Sequence, residues 1–418
     1  MLKRPSPNAE QNGGDAITAS RETLRRRFPT IESLRQRAQK RVPRFGFDFV
    51  DGAANDEACA RRNLLGLAAV ELVPRYCVDT DNISTDVELF GRRYSAPLGV
   101  APMGSAGLMW PGADILLARE AQRRCVPFVL ATPANASIER IAEIAPDVFW
   151  FQLYRFPQDD NAITCDLVRR ADAAGAHVLM PTIDSAGKSK RPRDIKNSAK
   201  TSLRFRPQSL LQVAACPQWA MARLRNGAQR AENIVPYAEN IVPYTDDTAT
   251  RTSAARTMQV RARGSHTWEE LARLRDRWKR AFVVKGVLHP QDAERLVSLG
   301  VDGLIVSNHG GRHFDGAPAC VDMLPAIVAA AGSRATVMFD SGIRSGLDIV
   351  RVLALGARAA FAGRPFLYGL GALGEAGARH VMDMYFDELR TEFQHVGIRS
   401  VAAAAEITVR HPGAWRAL

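Results

Sequence analysis

Cysteine is scarce in this sequence and never paired. Cys59, Cys77, Cys125, Cys165, Cys216 and Cys320 lie far apart with no CxxC pair, so neither a zinc site nor a disulfide frame is expected. No run approaches the roughly 18–20 apolar residues of a membrane span. The opening MLKRPSPNAEQNGGDA has no apolar core of the kind a secretory signal carries, and a cytoplasmic location is the expectation. Aromatic-interleaved basic tracts and zinc-finger spacing are also missing, so nucleic acid is not an expected partner despite a net charge of +12. That charge favours anionic substrates or an acidic membrane surface instead. No GxGxxG follows the first apolar run, which weakens an open dinucleotide-binding sheet and a nicotinamide-dependent reductase.

What is present is alternation. Residues 1–19 are polar and read as a disordered tail, 20–410 as one domain and 411–418 as a second tail. From Ser20 a helical pattern begins, with Ile31, Leu34 and Ala38 at helical spacing. Eight short apolar runs then recur: 97–101, 127–132, 148–153, 177–181, 282–285, 303–307, 336–340 and 359–362. They are too short for helices, and most lie between amphipathic stretches such as DAERLVSLG and LDIVRVLALG. Buried strands alternating with helices, eight times over, predict a closed (β/α)₈ TIM barrel with an N-terminal helical segment.

One segment breaks the pattern. Residues 198–264, before strand five, read as a long irregular loop, polar and basic. It holds a tandem repeat, AENIVPY at Ala231–Tyr237 and again at Ala238–Tyr244, expected as a duplication tolerated on the surface. The stretch SLLQVAACPQWAMARLR mixes apolar with basic residues and suits a membrane surface or a cover over the active site.

Barrels build their chemistry where strands end. Those ends hold Met103 and Gly104 after strand one, Gln152 and Tyr154 after strand three, and Thr182 and Asp184 after strand four. Lys285 ends strand five, Ser307-Asn308-His309-Gly310-Gly311-Arg312 strand six, Asp340, Gly342 and Arg344 strand seven, and Gly363-Arg364 strand eight. A histidine with an arginine three residues later, across two glycines, offers a general base beside a carboxylate fork. A carboxylate such as Asp184 near that histidine would orient it. Arg344 and Gly363-Arg364 suit the phosphate site that barrels place after strands seven and eight. A lysine buried at a strand end is costly unless it faces an anion.

SNHGGR at Ser307–Arg312 with Asp315-Gly316, supported by VKGVLHPQDAE, FDSGIRSGLDIVRVLALGA and GRPFLYGLGALGEAG, resembles the FMN-dependent α-hydroxy acid dehydrogenase/oxidase family over residues 28–410. The resemblance implies an FMN enzyme that oxidises an (S)-2-hydroxy acid to the 2-oxo acid. His309 would take the proton on the α-carbon or the hydroxyl, Asp184 would hold His309, and Arg312 with Arg191 would bind the carboxylate. Tyr154 would contact the substrate oxygen, and the reduced flavin edge would be the anion facing Lys285. Met103, Gly104, Ala131, Gln152, Thr182, Lys285 and Ser307 would surround the ring. Asp340, Gly342, Arg344, Gly363 and Arg364 would hold ribityl and phosphate. No metal is implied, and a tetramer is the implied assembly.

The chain departs from that family's pattern in three places. Phe49, in FDFVDGAANDE, replaces the usual tyrosine whose hydroxyl contacts the carboxylate, a contact of about 1.5–3 kcal/mol for a hydrogen bond to a charged group. Ala131 replaces a serine beside the flavin, and Pro133 stands where some members carry tryptophan. A less polar pocket favours a bulky or mandelate-like acid over lactate. Gly104, DSGIR and the PQW at Pro217–Trp219 look like the mandelate and bacterial L-lactate dehydrogenase branch. There electrons pass to a quinone or other carrier, and the segment before strand five can touch the inner face of the membrane. An oxygen-using oxidase and a catalytically altered FMN-binding member are the alternatives.

Overall fold

The eight apolar runs become eight parallel strands, buried on both faces as continuous hydrophobic strands require. The computed structural model describes residues 21–187, 189–197, 207–227, 230–237 and 261–415. Its barrel strands are β1 (Leu98–Val100), β2 (Phe128–Leu130), β3 (Phe149–Leu153), β4 (Val178–Pro181), β5 (Ala281–Val287), β6 (Gly303–Val306), β7 (Thr336–Asp340) and β8 (Ala360–Ala362). Each pairs with the next in chain order. β8 closes on β1 through Ala360 opposite Leu98 and Ala362 opposite Val100, completing a (β/α)₈ barrel.

Side chains fill the N-terminal mouth. A hairpin of Val87–Leu89 and Arg92–Tyr94 sets Phe90 5.7 Å from the Trp150 ring, and Trp150 Nε1 donates to Tyr94 Oη at 3.0 Å. Gly99 on β1 is required by close packing, because a Cβ there would sit 2.3 Å from the Phe361 ring. With one mouth plugged, the C-terminal mouth is left for chemistry.

Four details differ from the sequence expectations. The N-terminal helical pattern is two helices: residues 21–27 are helical, and Ile31–Arg41 starts afresh on a capping box of Thr30 and Ser33 after Pro29. The segment 198–264, expected to be irregular, contains the helices Pro207–Ala214 and Pro217–Asn226, the second opening on a proline that suits a first helical turn.

The first copy of the repeat is not a surface loop. Asn233 is fully buried, accepts from the Ile138 amide at 2.8 Å and donates to the carbonyls of Thr132 and Ala136. Ile234 is fully buried beside it, and Tyr237 Oη donates to Asp166 at 2.5 Å. The second copy, Ala238–Tyr244, lies outside the described residues, as do residues 1–20 and 416–418. Finally, residues 411–415, expected as tail, dock on the helix Cys320–Ala331: His411 Nε2 lies 3.1 Å from the Val321 carbonyl, and the Trp415 amide donates to Asp322. Among the described residues no helix is long and apolar enough to cross a membrane.

Candidate active site

The turn after β6 carries three successive residues in left-handed backbone: His309 at φ +59°, Gly310 at +64° and Gly311 at +74°. Glycine tolerates that region and histidine pays strain for it, so the surroundings must enforce it. Asn308 does so from within, its side chain accepting from the Gly311 amide at 3.2 Å. Asn63, from the helix Ala58–Ala68, exchanges two 2.8 Å amide hydrogen bonds with Asn308, and both residues are buried. A Cβ on Gly311 would lie 2.6 Å from the Ala60 nitrogen, so that helix can approach only a glycine.

The strained turn aims the imidazole. His309 Nδ1 lies 2.8 Å from Asp184 Oδ1, and Nε2 lies 3.4 Å from Tyr154 Oη. Asp184 is seated by a bulge in β5: Gly286, at φ +103°, leaves no room for a Cβ, which would meet Asp184 Cβ at 2.7 Å. Burial pushes the Tyr154 phenol up to about 12, with the Asp184 charge adding to the rise, so it is a neutral hydrogen-bond donor.

Lys285 is buried, with Nζ 2.7 Å from Ser307 Oγ, 3.1 Å from Asp340 and 3.7 Å from Asp184. Burial pulls its pKa down, but the carboxylates of Asp340 and Asp184 outweigh this and raise it. Burial likewise opposes ionisation of Asp184, and His309 and Lys285 overcome it and hold the carboxyl well below its usual range. Two carboxylates of the protein thus balance the buried Lys285 cation.

Two guanidiniums crowd the same mouth, and among the described residues neither has a carboxylate in ion-pair distance. Arg312 Nη1 donates to the carbonyls of Phe49 at 2.8 Å and Gly52 at 3.0 Å. Arg364 donates to the carbonyls of Val50, Gly310 and Gly52 at 2.9–3.0 Å. Burial, then repulsion from Arg191 and Arg364, pushes the Arg312 pKa down; burial does the same to Arg364. A site that disfavours its own cations in this way is built to receive an anion.

The helix Arg44–Asp51, which presents the Phe49 and Val50 carbonyls, is anchored by Asp51, which accepts from Arg35 at 2.5 Å, Arg193 at 2.6 Å and Tyr368 at 2.7 Å. Arg191 and Arg312 both pack on the Phe49 ring, their guanidinium carbons 5.4 and 5.1 Å from its centre. Arg191 also pairs with the buried Asp194 at 3.2 Å.

These groups meet at one open cavity at the C-terminal mouth of the barrel. Phe49, Met103, Gly104, Lys285, His309, Arg312, Asp340, Gly342, Arg344, Gly363 and Arg364 all line it. Asp184 and Tyr154 reach it through His309, and Arg191 packs on Phe49. Ala131, Gln152, Thr182 and Ser307 are brought to the same strand ends but are buried and do not line the cavity. Gln152 Nε2 donates to Thr182 Oγ1 at 3.0 Å, while its Oε1 accepts from the Thr132 amide at 3.2 Å. Gly104 is held by its neighbour: the Pro133 ring stands 2.7 Å from where a Cβ would be.

Sequence reasoning missed Asn63, Asp51, Thr132 and Ser341. Ser341, at φ +81°, accepts from the Gly310 amide at 2.9 Å and donates to Asp340 at 2.7 Å. Of these only Ser341 carried a signal, as a polar residue in the turn after a strand.

A family model described as FMN-dependent dehydrogenase matches residues 38–411. An L-lactate dehydrogenase of Caulobacter vibrioides is 36% identical over 374 residues, 89% of this chain and 95% of the relative. An (S)-mandelate dehydrogenase of Pseudomonas putida is 34% identical over 383 residues, 92% and 94% of the two chains. Among solved structures, the monotopic membrane protein (S)-mandelate dehydrogenase superposes with a TM-score of 0.83 at 33% identity, covering 91% of this chain and 98% of that one. A mandelate oxidase superposes with a TM-score of 0.76 at 31% identity, covering 92% and 99%.

Proposed function

The chain belongs to the FMN-dependent dehydrogenase family, and from that premise we propose that it oxidises an (S)-2-hydroxy acid to the 2-oxo acid with His309 as base. The electrons then pass to a quinone or another carrier. The observation that carries this reading is a histidine on the cavity wall, locked through Nδ1 to Asp184, beside a guanidinium that has no carboxylate partner among the described residues.

The residues present fit FMN. Gly342 and Gly363 keep the wall after β7 and β8 free of side chains, and Arg344 and Arg364 bring positive charge to the same wall. Gly363 also opens the helix Arg364–Leu373, whose first amides favour phosphate. Met103 and Gly104 would face the ring, with Ala131, Gln152, Thr182, Lys285 and Ser307 supporting it. Asp340, Gly342, Arg344, Gly363 and Arg364 would hold ribityl and phosphate. When bound, FMN supplies an acceptor for the two electrons leaving the substrate.

The chain's own groups do the rest. Arg312, with Arg191 on the same Phe49 ring, binds the substrate carboxylate and loses the repulsion that strains both. Tyr154, protonated, donates to the substrate oxygen. His309 carries its proton on Nδ1 toward Asp184, which leaves Nε2 to accept one from the substrate. The buried Asp184 carboxylate then stabilises the imidazolium, and Lys285 keeps that carboxylate ionised.

Phe49 bears on the substrate. Phe49→Tyr is expected to tighten binding of small 2-hydroxy acids about tenfold by restoring a hydrogen bond to the carboxylate. Equilibrium titration of the flavin spectrum measures it. Unchanged or weaker affinity would show that the two guanidiniums stacked on Phe49 have replaced the hydroxyl.

Gly104 supports a carrier over oxygen as acceptor, since the alanine typical of many oxidases would run into Pro133. Anaerobically reduced holoprotein should reoxidise faster with a water-soluble quinone than with air; the reverse order makes it an oxidase. Leu210, Leu211, Met221 and Leu224 are exposed on the helices Pro207–Ala214 and Pro217–Asn226, with Arg223 and Arg225 among them. That combination supports peripheral contact with an anionic membrane. Leu211→Glu with Leu224→Glu is expected to abolish cosedimentation with anionic vesicles, and undiminished sedimentation contradicts the contact.

A further inference from the structure

A second histidine stands inside the site, and the roles above make no use of it. His313 follows Arg312, and its ring packs edge-to-face on His309 with centroids 4.5 Å apart and planes at 82°. Its Nδ1 is buried and, among the described residues, has no hydrogen-bond partner. A ring placed only to satisfy its own nitrogens would not sit this way. Burial, then the neighbouring His309, Arg191 and Arg312, opposes a charge on His313; Asp184 alone favours one. The ring therefore stays neutral and does not compete with His309 for a proton.

The packing supplies something His309 otherwise lacks. Its stem and the 2.8 Å bond from Nδ1 to Asp184 hold one edge of the imidazole. The other edge carries Nε2, the atom that must meet the substrate. There the only hydrogen-bond contact among the described residues is Tyr154 Oη at 3.4 Å, long for a hydrogen bond, and the Tyr154 ring lies parallel to the imidazole but with centroids 6.5 Å apart, farther than His313. The ring can still pivot on the Nδ1–Asp184 bond through small coupled changes of χ1 and χ2, which would swing Nε2 out of line. His313 stands against that swing. Among the described residues, Tyr154, Asp184, Lys285, Arg191 and Arg312 are the charged and titratable groups that act on the pair.

We propose that His313 is a positioning residue for His309, its neutral ring packed edge-to-face against the base so that Nε2 stays aimed at the substrate. This rests on His309 being the base. An aromatic edge-to-face contact corresponds to roughly two- to tenfold in a rate.

In His313→Ala the limiting rate of flavin reduction by a 2-hydroxy acid falls by up to about tenfold, while the substrate Kd stays unchanged. Deuterium on the α-carbon slows the variant more than the wild type. His313→Phe, which keeps the edge-to-face contact and discards the ring nitrogens, recovers most of the rate. In ¹⁵N-histidine NMR spectra of the holoprotein, the His309 ring signals, identified by their loss in His309→Gln, broaden in His313→Ala and sharpen again in His313→Phe. A wild-type rate with unbroadened signals in His313→Ala overturns the proposal. A weakened Kd with an unchanged rate does so too, by making His313 a substrate contact. Should His309→Gln itself reduce flavin at the wild-type rate, the base assignment fails first. If it is inactive while His313→Ala behaves as wild type, only this inference fails.

Discussion

His309→Gln is expected to leave the protein yellow and to slow flavin reduction by a 2-hydroxy acid by about 10²–10⁴-fold, the usual contribution of a positioned general base. Glutamine approximates the reach of the imidazole and can still donate toward Asp184, so the strained turn and the cavity should persist. It cannot accept a proton near neutral pH. The fold and the flavin are therefore expected to survive while the chemistry does not. Anaerobic stopped-flow absorbance in the visible flavin band separates the two directly. Reduction at near wild-type rate would remove His309 from the role of base, whatever its distance to Asp184.

Lys285→Met is expected to act on both stability and cofactor retention. The lysine lies 3.1 Å from Asp340 and 3.7 Å from Asp184, so its removal leaves two buried carboxylates without their shared cation. Breaking a buried ion pair from one side costs about 3–5 kcal/mol. The variant should melt well below the wild type and emerge from gel filtration largely without flavin.

The pH dependence distinguishes this from a simple packing loss. In the wild type the Asp184 pKa is depressed, so its contribution is present above the unfolded carboxyl range and is lost only as pH falls. Without Lys285 the buried carboxyls prefer to be protonated, so the variant's deficit should shrink as pH falls toward the ordinary carboxyl range. A deficit that is constant with pH, or a variant that keeps its flavin and melting temperature, contradicts the assigned role of Lys285.

The parts of the molecule legible in the sequence are those whose physics is local. Each barrel strand is buried on both faces, so PFVLAT or TVMFD reads as a strand without knowledge of its neighbours. Ser307–Arg312 announces itself because two adjacent glycines beside a histidine and an arginine are rarely needed for packing alone. The parts that were hidden depend on partners far along the chain. Asn63 holds the His309 turn through Asn308, 245 positions away, and nothing in the local sequence around either residue signals the pair. Asp51 ties one helix to Arg35, Arg193 and Tyr368, and reads locally as an ordinary surface aspartate. The strands Glu71–Val73 and Thr408–Arg410 have three residues each, too few for an alternation to show.

The long segment before β5 misled for a related reason. Its polar composition suggested a loop, yet the buried Asn233 satisfies one amide and two carbonyls of the chain after β2, a use of a polar side chain that composition cannot distinguish from solvation. Lys285 was recognised as needing an anion, but the two carboxylates that answer it come from β7 and from the turn after β4. Only the closed barrel brings them within 4 Å.

The most direct test of the account is anaerobic stopped-flow absorbance of the purified holoprotein against a panel of (S)- and (R)-2-hydroxy acids, from glycolate to mandelate. The account predicts rapid bleaching of the flavin by at least one (S)-acid, with the bulkier acids ahead of lactate, and no bleaching by its (R)-enantiomer. FMN that remains oxidised with every acid in the panel would contradict it.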